Sequence, residues 1–129
     1  MNMTRILVVA GESKITEMVR FALGRRNPFH VREERDFSNG TATARTYKPS
    51  LIVLDVDSPT GRGREVADSF KFDSVLCTVP IVRVSSQPAE RVAAARAGAL
   101  FLPKSADANC VAEVINAALI WGTGVAGRS

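Results

Sequence analysis

Three polar side chains stand at the ends of apolar runs, and their types suit phosphoryl-transfer chemistry. Asp55 ends the run 51–54, Ser85 ends the run 81–84, and Lys104 follows the run 99–102. A carboxylate can act as the nucleophile toward phosphorus. A hydroxyl and a lysine can hold the phosphoryl oxygens. If the fold brings these three residues together, they form a candidate phosphoryl site.

The spacing of apolar residues predicts the elements that would position this site. Unbroken apolar runs at Arg5–Val9 and Leu51–Asp55 are typical of strands buried on both faces. The alternating run at 29–34 indicates an edge strand, and further strands are predicted at 80–84 and 99–102. Apolar stripes and caps predict helices from Ser13 to Asn27-Pro28, at 40–47, 63–72 and 88–97, and from Ser105 to Trp121.

Strict alternation of strand and helix predicts an α/β fold: a doubly wound, five-stranded parallel sheet with helices on both faces. We assign residues 1–121 to one domain and residues 122–129 to a flexible C-terminal tail. All strands of a parallel sheet end at the same edge, where ligands of such folds bind. Glu12, Asp55, Asp57, Ser85 and Lys104 should therefore meet there. Arg83, inside the apolar fourth strand, shares a face with Ser85 and could reach an acid such as Asp55.

Composition limits the classes of function. The 129 residues are 46% hydrophobic and 23% charged, which suits one globular domain. No apolar run approaches the ~20 residues that span a bilayer, so we expect a cytoplasmic protein without membrane contact. The net charge of +4 comes from dispersed arginines with few aromatic residues, which argues against direct nucleic-acid binding. No phosphate loop of the G-x-x-x-x-G-K type is present, so a nucleotide-using enzyme ranks last and we expect no enzyme activity.

A series of motifs, in order and at nearly the right spacing, resembles the receiver domain of two-component response regulators, of the chemotaxis-regulator type. The resemblance covers residues 4–121 and implies a flavodoxin-like fold and a histidine kinase or other signalling protein as partner. The motifs are Ile6–Val9, Leu51–Asp55 with Pro59 and Gly63, Val79–Val82 leading to Ser85-Ser86, Ala97–Ala99, and Leu102–Ser105.

The resemblance also implies residue roles. Asp55 matches the phosphoacceptor, Ser85 the switch hydroxyl, Phe101 the switch aromatic and Lys104 the phosphate-binding lysine. The backbone carbonyl of Asp57 matches a metal-ligand position. In the family the face formed by the fourth helix, the fifth strand and the fifth helix reads out the switch. We expect partners, or a second copy in a homodimer, to bind there.

One departure from the family concerns the metal. The family's acidic pair directly follows the first strand, where this chain has Ala10-Gly11. Glu12 comes one position late. Mg²⁺ prefers octahedral oxygen ligands with well-placed carboxylates. The resemblance therefore implies a Mg²⁺ site from Asp55, Asp57 and Glu12 that is weak or absent.

Two functions stay open from the sequence. The chain is either a receiver that accepts a phosphoryl group on Asp55, or a pseudo-receiver that acts as a protein-binding module without phosphorylation. Simpler roles are open as well: Lys104 could form a structural ion pair with Asp55, and Ser85 could be an ordinary turn or cap serine.

Overall fold

The computed structural model describes residues 3–24, 29–57 and 60–128, with side chains as far as residue 120. Its five strands form one parallel sheet in the order β2-β1-β3-β4-β5. This order confirms the doubly wound sheet, the edge position of β2 and the central position of β3. The strands are β1 (Thr4–Val9), β2 (Phe29–Glu34), β3 (Leu51–Asp55), β4 (Ile81–Ser85) and β5 (Leu100–Pro103).

Helices cover both faces of the sheet, as the strand–helix alternation predicts. Side chains alternate along each strand, so β1 directs Ile6 and Val8 to one face and Leu7 and Val9 to the other. The first face packs against α1 and α5, and the second against α2 and α3. The helices are α1 (Lys14–Leu23), α2 (Gly40–Tyr47), α3 (Arg62–Phe72), α4 (Ala89–Arg96) and α5 (Ala108–Arg128), with short 3-10 turns at Phe37–Asn39 and Leu76–Thr78.

Several element ends differ from the sequence predictions. Strands β4 and β5 each begin and end one residue later than predicted. Ser13 occupies the N-cap position of α1, but its side chain makes no capping hydrogen bond. The residue that caps α5 is Asp107, not Ser105, because its Oδ1 accepts from the Cys110 N–H at 2.8 Å. Helix α1 ends at Leu23, with Gly24 as its C-cap, and so stops before the predicted end at Asn27-Pro28, which lies outside the described residues.

Helix α5 extends beyond Trp121, where the sequence analysis ends it, to Arg128. Glycine lowers helix propensity by about 1 kcal/mol but does not forbid helix, and no proline interrupts this stretch. Flexibility of residues 122–129 stays a prediction, and the side chain of Trp121 lies outside the described part. Among the described helices, none is both long and apolar enough to cross a membrane.

The buried carboxylate of Asp73 organises the connection from α3 to β4. It accepts hydrogen bonds from the N–H groups of Val75 and Leu76, at 2.8 and 2.9 Å, and its Oδ2 lies 2.6 Å from Arg45 Nη2. The hydrogen bond from Leu76 is the main cause that lowers the pKa of Asp73 below 3.8; burial opposes it, and Arg45 adds to the lowering.

This lowered pKa predicts a pH-dependent loss of stability. The contribution of Asp73 is fully present above the unfolded pKa of 3.8 and declines as the pH falls through the lower folded value. We expect Asp73→Asn to be less stable than the unmodified protein at pH 7, and the difference to shrink at pH 3. Urea unfolding at both pH values measures it, with the exposed Asp68→Asn as control. A difference that stays constant between pH 7 and pH 3 would contradict the prediction.

Candidate functional site

Asp55 and Lys104 meet at the carboxyl edge of the sheet. Asp55 ends the central strand β3 and is 7% exposed, and Lys104 directly follows β5. The Nζ of Lys104 lies 3.2 Å from Oδ1 of Asp55. This contact confirms the predicted approach of the two side chains.

Asp57 lies at this edge as predicted, but the sequence analysis did not specify the partners of its side chain. Its Oδ1 accepts a hydrogen bond from the Ser85 hydroxyl. Its Oδ2 accepts from the N–H and the hydroxyl of Ser86, at 2.7 and 2.8 Å, and lies 3.2 Å from Lys104 Nζ. The resemblance assigned only the backbone carbonyl of Asp57. The signal in the sequence was the serine pair Ser85-Ser86, at the end of the neighbouring strand and in the loop that follows it.

The charges of this cluster stabilise one another. Burial raises the pKa of Asp57, but the hydrogen bonds from Ser85, Ser86 and Lys104 outweigh it and lower that pKa to about 2. Burial lowers the pKa of Lys104, whereas its hydrogen bonds to Asp55 and Asp57 and their charges raise it more strongly. At neutral pH the cluster therefore contains an ammonium group beside the ionised Asp57.

Ser85 serves both the site and its own loop. The residue is fully buried, and its hydroxyl donates to Asp57 and accepts from the Gln87 N–H at 2.9 Å. The interpretation as a turn serine and the interpretation as a site serine are therefore compatible.

Phe101 lies on β5, half-buried under α4. The guanidinium carbon of Arg91 lies 4.7 Å from the centre of its ring, in a cation–π contact. Its assignment as a switch residue stays a prediction.

The sequence analysis suggested that Arg83 could reach an acid such as Asp55. In the structure its acidic partner is Glu90. Its Nη2 lies 3.1 Å from Oε2 of Glu90, in the first turn of α4, and Oε1 of Glu90 pairs with Arg64 of α3. The side chains of Arg83 and Glu90 are 11% and 5% exposed. This network joins β4, α3 and α4 next to the site.

The end of β1 has no carboxylate at the two positions where the resemblance places an acidic pair for Mg²⁺. Ala10 is buried, and the guanidinium of Arg35 donates to the Gly11 carbonyl at 3.3 Å, so a positive charge lies beside it. Glu12 is exposed, and no hydrogen bond or ion pair to Asp55, Asp57 or Lys104 is found within the described residues. In that part of the chain, no three His, Cys, Asp or Glu side chains group closely enough to hold a metal.

Comparison with known proteins identifies the family, although no family model matches the chain. The chain is 34% identical over 99 residues to the KDP operon transcriptional regulatory protein KdpE of Escherichia coli. This alignment covers 75% of this chain and 42% of KdpE. It is 28% identical over 121 residues to the protein PilH of Pseudomonas aeruginosa, covering 91% of this chain and 98% of PilH.

The chain belongs to the receiver-domain family of response regulators.

Solved structures agree with this assignment. Chemotaxis protein CheY4 of Vibrio cholerae superposes with a TM-score of 0.77 at 21% identity, over 91% of this chain and 99% of that chain, which shows the fold. NtrX of Brucella abortus superposes with a TM-score of 0.81 at 26% identity, over 96% of this chain and 28% of NtrX. The receiver domain spans less than half of KdpE and of the phosphate regulon regulator PhoB of E. coli, 42% and 37%.

A glycine in the first turn of α3 lets this helix pack against the end of β3. A Cβ atom on Gly63 would lie 2.2 Å from the backbone oxygen of Asp55 and 2.9 Å from Cα of Val56. Both are backbone atoms, so they cannot move aside as a flexible side chain would. The glycine therefore sets how closely α3 approaches the site.

We expect Gly63→Ala to lower the free energy of unfolding by roughly 2 kcal/mol or more, because overpacking forces backbone shifts. It should also shift the amide resonance of Val56. Gly11→Ala is the control, since a Cβ there would meet only a Phe37 ring carbon at 3.6 Å. Equal stability of the two variants in urea would contradict this account of the α3–β3 packing.

Proposed function

We propose that this receiver domain accepts a phosphoryl group on Asp55 in a two-component system, and does so slowly because its Mg²⁺ site is poor. The observation that supports the acceptor role is the contact between Asp55 and Lys104, 3.2 Å long, at the end of the central strand. A nucleophilic carboxylate beside a fixed ammonium group suits attack on a phosphoryl donor.

In the proposed reaction a carboxylate oxygen of Asp55 attacks the phosphorus of a kinase phosphohistidine. The new O–P bond forms as the P–N bond breaks, and the released imidazole takes up a proton from solvent. Lys104 stabilises the negative charge on the phosphoryl oxygens. Ser85 would join it once its hydroxyl leaves Asp57.

The slow rate follows from electrostatics at the end of β1. Ala10 and Gly11 offer no carboxylate, and Arg35 places a guanidinium on the Gly11 carbonyl. The carboxylate of Asp57 already binds two serines and Lys104. A cation at this edge would have to compete with Lys104 for Asp55 and Asp57.

We further propose α4, β5 and α5 as the partner surface. Arg91 and Arg96 are exposed on α4, together with Val92 at 54% exposure, and Ile120 on α5 is 71% exposed. This combination suits an acidic partner surface with apolar residues, and a second copy is the other candidate. A photo-crosslinker at Val92 should capture the partner, whereas one at the exposed Phe21 of α1 should not. Capture from Phe21 alone would contradict this assignment.

The alternative function, a phosphorylation-independent binding module, is favoured by one observation. The Ser85 hydroxyl and the Ser86 N–H are already occupied by Asp57.

A Mg²⁺ titration with and without beryllofluoride, followed by amide NMR, tests the proposed function. We expect the amides next to Asp55 to shift only at Mg²⁺ concentrations of roughly 10 mM or above. Beryllofluoride should then form an adduct that Asp55→Asn abolishes. An adduct that survives in Asp55→Asn, or none at any Mg²⁺ concentration, would contradict Asp55 as acceptor.

A further inference from the structure

The carboxylate of Asp57 occupies the groups that a phosphoryl group on Asp55 would need. Its Oδ1 accepts from the Ser85 hydroxyl, and its Oδ2 accepts from the Ser86 N–H at 2.7 Å and lies 3.2 Å from Lys104 Nζ. A hydroxyl, an N–H and an ammonium group converging on two anionic oxygens form a binding site for an oxyanion. In the unmodified chain, the carboxylate of Asp57 occupies that site.

We propose that Asp57 is a built-in substitute for the phosphoryl group, whose carboxylate holds Ser85 and the β4–α4 loop in the engaged position without modification of Asp55. The inference rests on the proposed function for the roles of Ser85 and Lys104. If the inference holds, phosphorylation of Asp55 cannot newly recruit the Ser85 hydroxyl, because this hydroxyl is already hydrogen-bonded to Asp57.

Burial and hydrogen-bond geometry support this role. The Asp57 side chain is 12% exposed, and Ser85 is fully buried. The Ser85 hydroxyl donates its only proton to Asp57 and accepts from the Gln87 N–H. A phosphoryl group on Asp55 must therefore displace Asp57. It would also add negative charge beside Lys104, whose single ammonium group already contacts the carboxylates of Asp55 and Asp57, which is unfavourable.

The engaged loop is also coupled to the proposed partner surface. Glu90, in the first turn of α4, is held by Arg83 of β4 and by Arg64 of α3. Helix α4 is thereby fixed to the strand that carries Ser85. The partner surface should thus be preformed in the unphosphorylated protein.

Removal of the Asp57 carboxylate tests the inference. In Asp57→Ala, we expect the amide resonances of Ser86 and Gln87 and the ammonium resonance of Lys104 to shift. Inorganic phosphate, used as the probe, should bind this variant roughly tenfold or more tightly than the unmodified protein, because a competing anion is gone. Bound phosphate should return the Ser86 amide toward its original position, which a purely structural role of Asp57 would not predict.

Asp36→Ala is the matched control. Asp36 lies at the same sheet edge and accepts from the N–H and the hydroxyl of Ser38, two residues further on, at 3.0 and 2.6 Å. It should leave the Ser86 resonance and phosphate binding unchanged. Asp57→Asn, which is isosteric and neutral, replaces the alanine variant if that variant does not fold.

Unchanged Ser86, Gln87 and Lys104 resonances in Asp57→Ala, or equal phosphate binding by this variant and the unmodified protein, would overturn the inference. Acetyl phosphate separates it from the proposed function. If Asp57→Ala frees the loop but Asp55 is never labelled, the proposed function fails and the Asp57 contact stands. The other outcome is that phosphorylation by acetyl phosphate shifts the Ser86 amide resonance of the unmodified protein as far as the Asp57→Ala substitution does. The inference then fails and the acceptor role stands.

Discussion

Aspartates at positions 10 and 11 are expected to raise the Mg²⁺ affinity of this receiver domain by roughly ten- to hundredfold, and to speed labelling of Asp55. A carboxylate about 4 Å from a cation contributes on the order of 1–4 kcal/mol per unit charge near a protein surface, and about 1.4 kcal/mol corresponds to a factor of ten. Calorimetry measures the affinity, and intact mass after incubation with acetyl phosphate measures the labelling.

Positions 10 and 11 differ in how well they can accommodate a larger side chain, and this difference provides a control. Gly11 is exposed and has room for a side chain, whereas Ala10 is fully buried. Gly11→Asp alone should therefore fold normally and give part of the gain, and the double variant should be checked by amide NMR. If the unmodified protein binds Mg²⁺ and is labelled as readily as the double variant, the weak-site account is wrong.

Replacing Glu90 by alanine is expected to lower the free energy of unfolding by roughly 3 kcal/mol or more. The substitution leaves the guanidinium of Arg83, whose side chain is 11% exposed, without its carboxylate partner. Breaking one half of a buried ion pair typically costs about 3–5 kcal/mol. Urea unfolding at pH 7 measures the loss.

Two further variants identify the cause. Glu65→Ala removes an exposed glutamate from the first turn of α3 and should change the free energy of unfolding by less than about 0.5 kcal/mol. Arg83→Met combined with Glu90→Ala should recover much of the stability, because no buried charge is left unpaired. A double variant as unstable as Glu90→Ala alone would mean that lost packing, not the orphaned charge, causes the effect.

The sheet and its acceptor edge could be predicted from sequence because they depend on local patterns. A buried run such as Leu51–Asp55 specifies a central strand, and parallel pairing then brings the ends of β3 and β5 to one edge. That was enough to predict the contact of Asp55 with Lys104. The start of α5 was less accurate because it depends on whether Ser105 or Asp107 reaches the free N–H groups of the first turn. Its end was less accurate because glycine disfavours a helix without forbidding it.

Side-chain partners across loops could not be predicted. Asp57 lies two residues after a strand, and nothing in the periodicity of the chain fixes where a loop carboxylate points. Its orientation follows from two donors at the end of another strand, Ser85 and the next residue, Ser86. The partner of Arg83 is likewise an acid on α4, Glu90, rather than Asp55. Both depend on how separate elements pack, which sequence patterns do not encode.

The acceptor role of Asp55 is tested most directly by the intact mass of the unmodified protein after incubation with acetyl phosphate and Mg²⁺, beside Asp55→Ala. We expect one added phosphoryl group that accumulates slowly, faster at higher Mg²⁺ concentration, and no added mass in Asp55→Ala. An added group that persists in Asp55→Ala, or no added group in either the unmodified protein or the variant with aspartates at positions 10 and 11, would contradict it.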